Sequence, residues 1–326
     1  MIGSKGKVVI AGGSGFLGQA LAASLINDGF EVTILSRRKK EESDGVGKVA
    51  LWDAKTLDDW HEELDGAFAL FNLTGRSVDC RYTQKNKDLI LHSRLDSTQV
   101  LGEAVSTCQE PPSVWLNAST ATIYEDRRGN LPPHDEGSEG DAEGFSEEVG
   151  RAWEKEFFKQ ARDGVRQVAL RISIVLGEGG GAFPVMRRFA KLGLGGSQGP
   201  GDQWISWLHI DDWVGIAKFI MKNSMLSGPI NLASPNPVTN REFMQVMRKE
   251  YAPLGIGFPA PSPAIYVGAI FLGTAPGSPG RAAGRRRPAR PAAPPCCATP
   301  PSPPELSTFE KNEELEALPC AAAAGA

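Results

Sequence analysis

Cysteine is scarce in this chain, and what there is forms no pattern. Five cysteines, Cys80, Cys108, Cys296, Cys297 and Cys320, are spread over 326 residues. They lack the spacing of a metal site or a disulfide framework, and the adjacent Cys296 and Cys297 are badly placed to bridge each other. No metal site is expected, and a reducing compartment is. Long apolar runs are also missing. The longest candidate, Ala264 to Leu272, falls well short of the roughly 18 residues of a membrane-spanning helix. Positive charge is not in excess either: a net charge of −4 offers no overall basic field to a nucleic acid. The arginine-rich stretch from Arg281 to Arg290 has no aromatic residues and is followed by acids from Glu305 to Glu316, so it reads as a solvated run. The predicted first strand begins by residue 8, which leaves no room for a signal or transit peptide ahead of it. A cytoplasmic protein is expected.

Glycine, in contrast, is concentrated where it can do something. Val8-Val9-Ile10-Ala11 runs into Gly12, Gly13, Ser14, Gly15, Phe16, Leu17 and Gly18. A β-branched strand thus delivers the backbone to a tight turn, and the turn opens a helix on which Leu17, Leu21 and Leu25 repeat every four residues. A dinucleotide pyrophosphate needs that order, because residues without Cβ let the backbone approach the phosphates and the helix N-terminus aims free N–H groups at them. Glu31 to Leu35 reads as the second strand. At its end an NAD site would carry an acid for the ribose 2′-hydroxyl. That acid is absent, and Ser36-Arg37-Arg38 stands in its place. A guanidinium can grip a 2′-phosphate through two hydrogen bonds, so NADP(H) is the expected cofactor, with Arg37 as clamp and Ser36 and Arg38 beside it. A solvated basic turn is the alternative reading of these residues.

Strand and helix patterns alternate along most of the chain, as in a parallel sheet covered on both faces. Val49 to Trp52, Ala67 to Leu73 and Val114 to Ala118 read as strands, Gln84 to Thr107 as a long helix, Ser146 to Gln160 as another, and Gln167 to Val175 as a strong strand. Glu125 to Gly144 reads as a polar surface excursion. Glycines cluster at 177–181 and 193–201, flanking a helical segment Phe183 to Lys191, and suggest loops that close over a substrate. The expected class is α/β. A Rossmann-type doubly wound parallel sheet occupies residues 1–174, a smaller substrate lobe is built mainly from 175–272, and a low-complexity, disordered tail covers 273–326.

Four segments, Gly12 to Gly18, Asn72-Leu73-Thr74-Gly75, Ala118 to Tyr124 and Leu170-Arg171-Ile172-Ser173, resemble the extended short-chain dehydrogenase/reductases of the epimerase/dehydratase type. Arg81-Tyr82-Thr83 ahead of Ser93-Arg94-Leu95, the run Val175 to Gly181, Leu194-Gly195-Gly196 and Gln203 to Asp212 resemble one atypical branch of epimerase-like proteins with poorly defined substrates. The resemblance spans residues 7–272. It implies that Leu73, Thr74, Arg94 and Ser119 line the cofactor and that Thr120 donates a hydrogen bond to a substrate oxygen. An ordinary surface arginine is the other reading of Arg94, and a strand-end cap the other reading of Thr120. The resemblance also shows what is missing. The superfamily's acid/base tyrosine, four residues before a lysine, falls here on Ser146 and Gly150, with Glu154 as the acid that follows. Tyr124 is the other phenol near the site and a second catalytic candidate, with structural packing, the commoner role in this kind of fold, as its other reading. His209, beside Asp211, reads as a helix cap and satisfied core histidine. Asn231 is expected in a turn. These features lead to an NADP(H)-dependent oxidoreductase or sugar-nucleotide-epimerase-like enzyme acting on a small carbonyl or hydroxyl substrate, with no nucleic-acid or membrane partner. A catalytically silent NADP-binding regulatory or interaction protein is the alternative.

Overall fold

Alternate residues of a strand face opposite sides of its sheet, and the first strand, β1 (Lys7–Ala11), is apolar on both. Val8 and Ile10 are buried in one core, Val9 and Ala11 in a second. A strand of this kind must be covered on both faces, which requires helices above and below a parallel sheet. The computed structural model has that architecture and describes residues 5–38, 47–125, 134–138, 143–252 and 257–258. Six further strands join β1: β2 (Glu31–Ser36), β3 (Lys48–Leu51), β4 (Ala67–Asn72), β5 (Val114–Thr120), β6 (Arg166–Ile172) and, after the short β7 (Ile174–Leu176), β8 (Trp204–Ile205) and β9 (Trp207–His209), the strand β10 (Gly228–Leu232). Every pairing in this sheet is parallel, in the order β3-β2-β1-β4-β5-β6-β10.

The helices divide between the two faces. On one, α1 (Phe16–Asn27) packs with a later helix, α5 (Ile210–Lys222), through Leu21, Leu25, Trp213, Ala217 and Ile220. On the other lie α2 (Gln84–Thr107) and α3 (Phe145–Lys159), through Leu101, Val105 and Phe157. The α2 bounds coincide with those read from the sequence, and so do those of α4 (Phe183–Lys191). Apolar spacing and a good cap explain this: the Thr83 hydroxyl accepts the Asn86 amide at the start of α2.

Three features differ from the sequence reading. The expected strand Gln167 to Val175 is two, because at Ser173 the backbone turns its N–H to Leu232. Asn231 lies within β10 and not in a turn, in register with Arg171. The expected lobe from residue 175 divides, because α5 and β10 return to the large sheet. The rest of it is made by α4, α6 (Asn240–Tyr251), the β7–β9 pair and the pair of β8 with β11 (Val238–Thr239). The expected tail at 273–326 lies outside the described residues, as does most of 125–144.

Trp213 is the side chain that locks α5 onto α1: it is fully buried, and its indole N–H donates to the Leu17 carbonyl at 3.2 Å. Trp213→Ala should destabilise the fold by about 3–5 kcal/mol, read as a lower urea midpoint at unchanged slope.

Candidate functional site

In a doubly wound sheet ligands bind at the carboxyl ends of the strands, where the strand order reverses. Here the chain runs outward from β1 through β2 to β3 and then returns to place β4 on the other side of β1, so the reversal lies between β1 and β4. The turns leaving those two strands touch. Gly12 has φ +77°, and a Cβ on it would stand 2.8 Å from the Leu73 carbonyl carbon and oxygen. Gly13 and Gly18 are also closed, by the Ile34 side chain and by Gly13 itself. Gly15 is different. Its backbone is extended, at φ −82° and ψ 171°, and a Cβ there would meet only the Gly12 carbonyl, at 3.4 Å. It is the N-cap of α1, has no capping side chain, and no acid follows in the first turn. The helix therefore presents its unpaired amides and the positive end of its dipole to open space. Ser14 and Gly15 are exposed. Phe16 is covered by the run 177–181, expected as a closing loop, where side chains at 177 and 180 would come within 2.9 and 3.0 Å of it.

Five polar side chains lie at or past the ends of β2 and β4 and on α2. Arg37 and Arg38 are exposed just past β2, and among the described residues neither meets a carboxylate. Ser36 is buried, and its oxygen accepts the Arg38 amide at 3.2 Å. The Thr74 hydroxyl is buried with no partner among the described residues. A fully buried polar core fixes its loop: Asn72 donates to Asn117 at 2.7 Å and to Thr98 at 3.1 Å, and its own oxygen accepts the Thr74 amide. Arg94 lies against Gly75, where a Cβ would be 3.0 Å from its guanidinium carbon, and 5.1 Å from the Trp153 ring centroid. Its Nη1 donates to the carbonyls of Ile90 and Arg76. Burial lowers its pKa to about 10, opposed by Tyr82, so it remains a cation at neutral pH. Arg94 is thus held in a packed position and is not a free surface arginine.

The hydroxyl candidates are already engaged. Thr120, at the end of β5, accepts the Thr122 amide at 3.2 Å and shares a 3.0 Å bond with the Thr122 hydroxyl. This is the capping arrangement. Gly150, at the lysine position, has no room for a side chain, because a Cβ would stand 2.7 Å from Ile123 and 2.8 Å from Thr120. Ser119, expected beside the cofactor, points into the α3 face instead. It is buried and donates to Glu154 at 2.5 Å.

Glu154 and Arg171 form the centre of a network that the sequence reading did not find. The carboxylate accepts Nε and Nη2 of Arg171, both at 2.9 Å, with the two side chains 12% and 10% exposed. Burial acts to lower the Arg171 pKa, but its bonds to Glu154 and Tyr124 outweigh this and hold it above the ordinary value. Its Nη1 donates to the Tyr124 hydroxyl at 2.6 Å, and the single phenolic proton faces Asn231 Oδ1 at 2.8 Å and the Asp135 carbonyl at 3.0 Å. Burial pushes the Tyr124 pKa up, against the pull of Arg171. His134 stacks on the phenol ring at 4.8 Å, and Glu136 accepts the Asn231 amide at 2.8 Å. Strand periodicity could have placed Arg171 on the α3 face with Ser119. Its partner, on a helix 17 residues earlier in the chain, carries no local signal. His209 caps α5 by accepting the Asp211 amide at 3.3 Å, but at 47% side-chain exposure it is not a core residue.

With a doubly wound sheet and this turn at the reversal, the class is that of the dinucleotide-binding α/β proteins. Residues 8–233 match the NAD dependent epimerase/dehydratase family, and the chain belongs to it. It is 33% identical over 236 residues to the epimerase family protein YfhF of Bacillus subtilis, covering 72% of this chain and 77% of that one. It is 32% identical over 268 residues to the human epimerase family protein SDR39U1, covering 81% and 86%. A crystal structure of human SDR39U1 isoform 2 with NADPH superposes with a TM-score of 0.70 at 30% identity, over 82% of this chain and 89% of that one. Among the described residues no helix is long and apolar enough to cross a membrane, and no metal-ligating cluster is present.

The ion pair gives a stability prediction. Arg171→Met should leave the Glu154 charge buried and cost about 3–5 kcal/mol, whereas Arg171→Met with Glu154→Leu should recover most of that loss. Denaturant titrations of the two single variants and the double variant measure the coupling.

Proposed function

We propose that this protein binds NADP(H) and acts as an oxidoreductase or epimerase-like enzyme on a small carbonyl or hydroxyl substrate. The observation that carries the reading is Gly15, the glycine of this turn with room beside it. Gly12, Gly13 and Gly18 are closed by neighbouring protein atoms, but a Cβ on Gly15 would make only ordinary contact with the Gly12 carbonyl, at an uncapped helix N-terminus. That is a cradle for a diphosphate. Relatives add support, since human SDR39U1 was solved with NADPH. In this reading the α1 amides hold the diphosphate, Arg37 grips the 2′-phosphate with Ser36 and Arg38 beside it, and the free Thr74 hydroxyl and Arg94 complete the polar wall. Bound there, the nicotinamide would supply a hydride donor or acceptor. Ser119 contributes indirectly, by fixing Glu154. Thr120 orients a substrate oxygen, and Tyr124 holds the proton that such an oxygen would receive. A cytoplasmic setting belongs to the same reading, supported by the scarcity of cysteine.

A second reading, a silent NADP-binding regulatory protein, is favoured by one observation. A Cβ at Gly150 would come within 2.7 Å of Ile123 and 2.8 Å of Thr120, so the usual lysine could not be restored without a shift of those neighbours or of α3. An NADPH-oxidation screen against a carbonyl library separates the two: cofactor binding with no turnover on any member would favour the silent protein.

The cofactor reading is tested by fluorescence titration. NADPH should bind at least about tenfold more tightly than NADH, a difference of about 1.4 kcal/mol. Arg37→Asp should erase or reverse that preference, and equal affinities in the unmutated chain would refute the clamp. Gly15→Val should abolish NADPH binding while the unfolding curve stays close to that of the parent, because the turn itself leaves room at that position. Unchanged affinity would put the cofactor elsewhere.

A further inference from the structure

Resting on the reading above, we propose that Arg171, oriented by Glu154, is a positioning residue that sets the protonation of Tyr124 and so supplies from strand β6 the cation that position 150 cannot carry. Three observations make the case. Position 150 of α3 carries no cation, and a side chain there would crowd its neighbours, since a Cβ would be 2.7 Å from Ile123 and 2.8 Å from Thr120. Arg171 Nη1 stands 2.6 Å from the Tyr124 oxygen, a charge-assisted bond that favours the phenolate over the phenol. The remaining guanidinium N–H groups do not compete for the site, because Glu154 takes Nε and Nη2 at 2.9 Å each and is itself held by Ser119. The arginine therefore meets the phenol at one fixed place, with little freedom to swing away. That is what a positioning residue requires.

The charged and titratable groups around Tyr124 come from three elements, and a fourth adds an amide. Arg171 lies on β6 and Glu154 behind it on α3. Glu136 and the stacked His134 come from segment 134–138, and uncharged Asn231 from β10. Glu136 opposes ionisation of the phenol, as burial does, and Arg171 works against both. In the proposed step the phenolic O–H bond breaks as a substrate carbonyl oxygen takes the proton, and the carbonyl carbon takes a hydride from a reduced nicotinamide. The product is an alcohol, and the phenolate left beside Arg171 is reprotonated by water. The Asp135 carbonyl, the longer of the two acceptors at 3.0 Å, is the one the substrate oxygen replaces.

The test reads the phenol directly. The chain has four tyrosines, so replacing them with 3,5-difluorotyrosine gives a small set of ¹⁹F resonances, and Tyr124→Phe assigns the relevant one. The fluorines make the phenols more acidic, which keeps the titration within the folded range. Arg171→Met paired with Glu154→Gln removes both charges, so neither is left buried alone. In that double variant the acidity constant of residue 124 should fall about tenfold or more. Arg171→Lys, which keeps the charge, should restore much of it. An unmoved Tyr124 titration in a folded double variant would overturn the proposal, as would a lysine variant that behaves like the double variant. NADPH binding measured on the same samples is independent of this outcome. Its loss in the unmutated chain would sink the cofactor reading while leaving the phenol titration to stand or fall alone.

Discussion

A two-point ion pair between Glu154 and Arg171 ties the carboxyl edge of the sheet together. Taking two charges out of water is costly, and a buried pair repays that cost only when its geometry is good and its remaining valences are filled. Here both conditions hold. The carboxylate receives two guanidinium N–H groups and the Ser119 hydroxyl, and the guanidinium extends to Tyr124 and the Glu136 carbonyl. Strand register places these groups together. Ser119, Arg171 and Asn231 stand side by side on β5, β6 and β10. A slip of one residue in β6 would turn Arg171 to the opposite, apolar face and leave Glu154 without a counterion. The pair therefore links strand register to the placement of α3.

The approach of α3 has a chemical consequence. The helix comes close at Gly150 to Thr120 and Ile123, where a Cβ would stand 2.8 and 2.7 Å from their γ-methyl groups. A larger residue at 150 would require those side chains or the helix to shift. Family membership fixes the fold here. The chemistry has to be argued from the groups that remain.

Much of the fold was legible in the sequence because its signals are local. Four-residue leucine spacing defines α1, and the β-branched run followed by glycines defines β1 and its turn. What escaped the sequence reading is non-local. β10 is a five-residue strand containing a proline and an asparagine, and it becomes a strand only because β6 offers it a partner edge. The glycines of the turn look alike in sequence, yet Gly12 and Gly18 make room for protein and Gly15 leaves room for something else, a distinction set by Leu73 and by the geometry of the loop. The bond from Ser119 to Glu154 is non-local in the same way, since its partner lies 35 residues away on a helix.

The two halves of the edge differ in the state of their polar groups. Around the glycine turn, helix amides, the Thr74 hydroxyl and the cations of Arg37, Arg38 and Arg94 stand without carboxylate partners among the described residues. Around Tyr124 every described group is paired, several of them twice. A buried hydroxyl without a partner, such as that of Thr74, is costly to maintain, whereas a saturated network is stable alone and resists being opened. Such a protein should take up an anionic cofactor without rearrangement but accept a substrate only by exchanging one bond of the network for another. The exchange is easiest at the longer of the phenol's two acceptor bonds, where segment 134–138 offers a backbone carbonyl to it. Any turnover would therefore be gated by that segment, and the identity of the substrate would rest on what can replace its carbonyl.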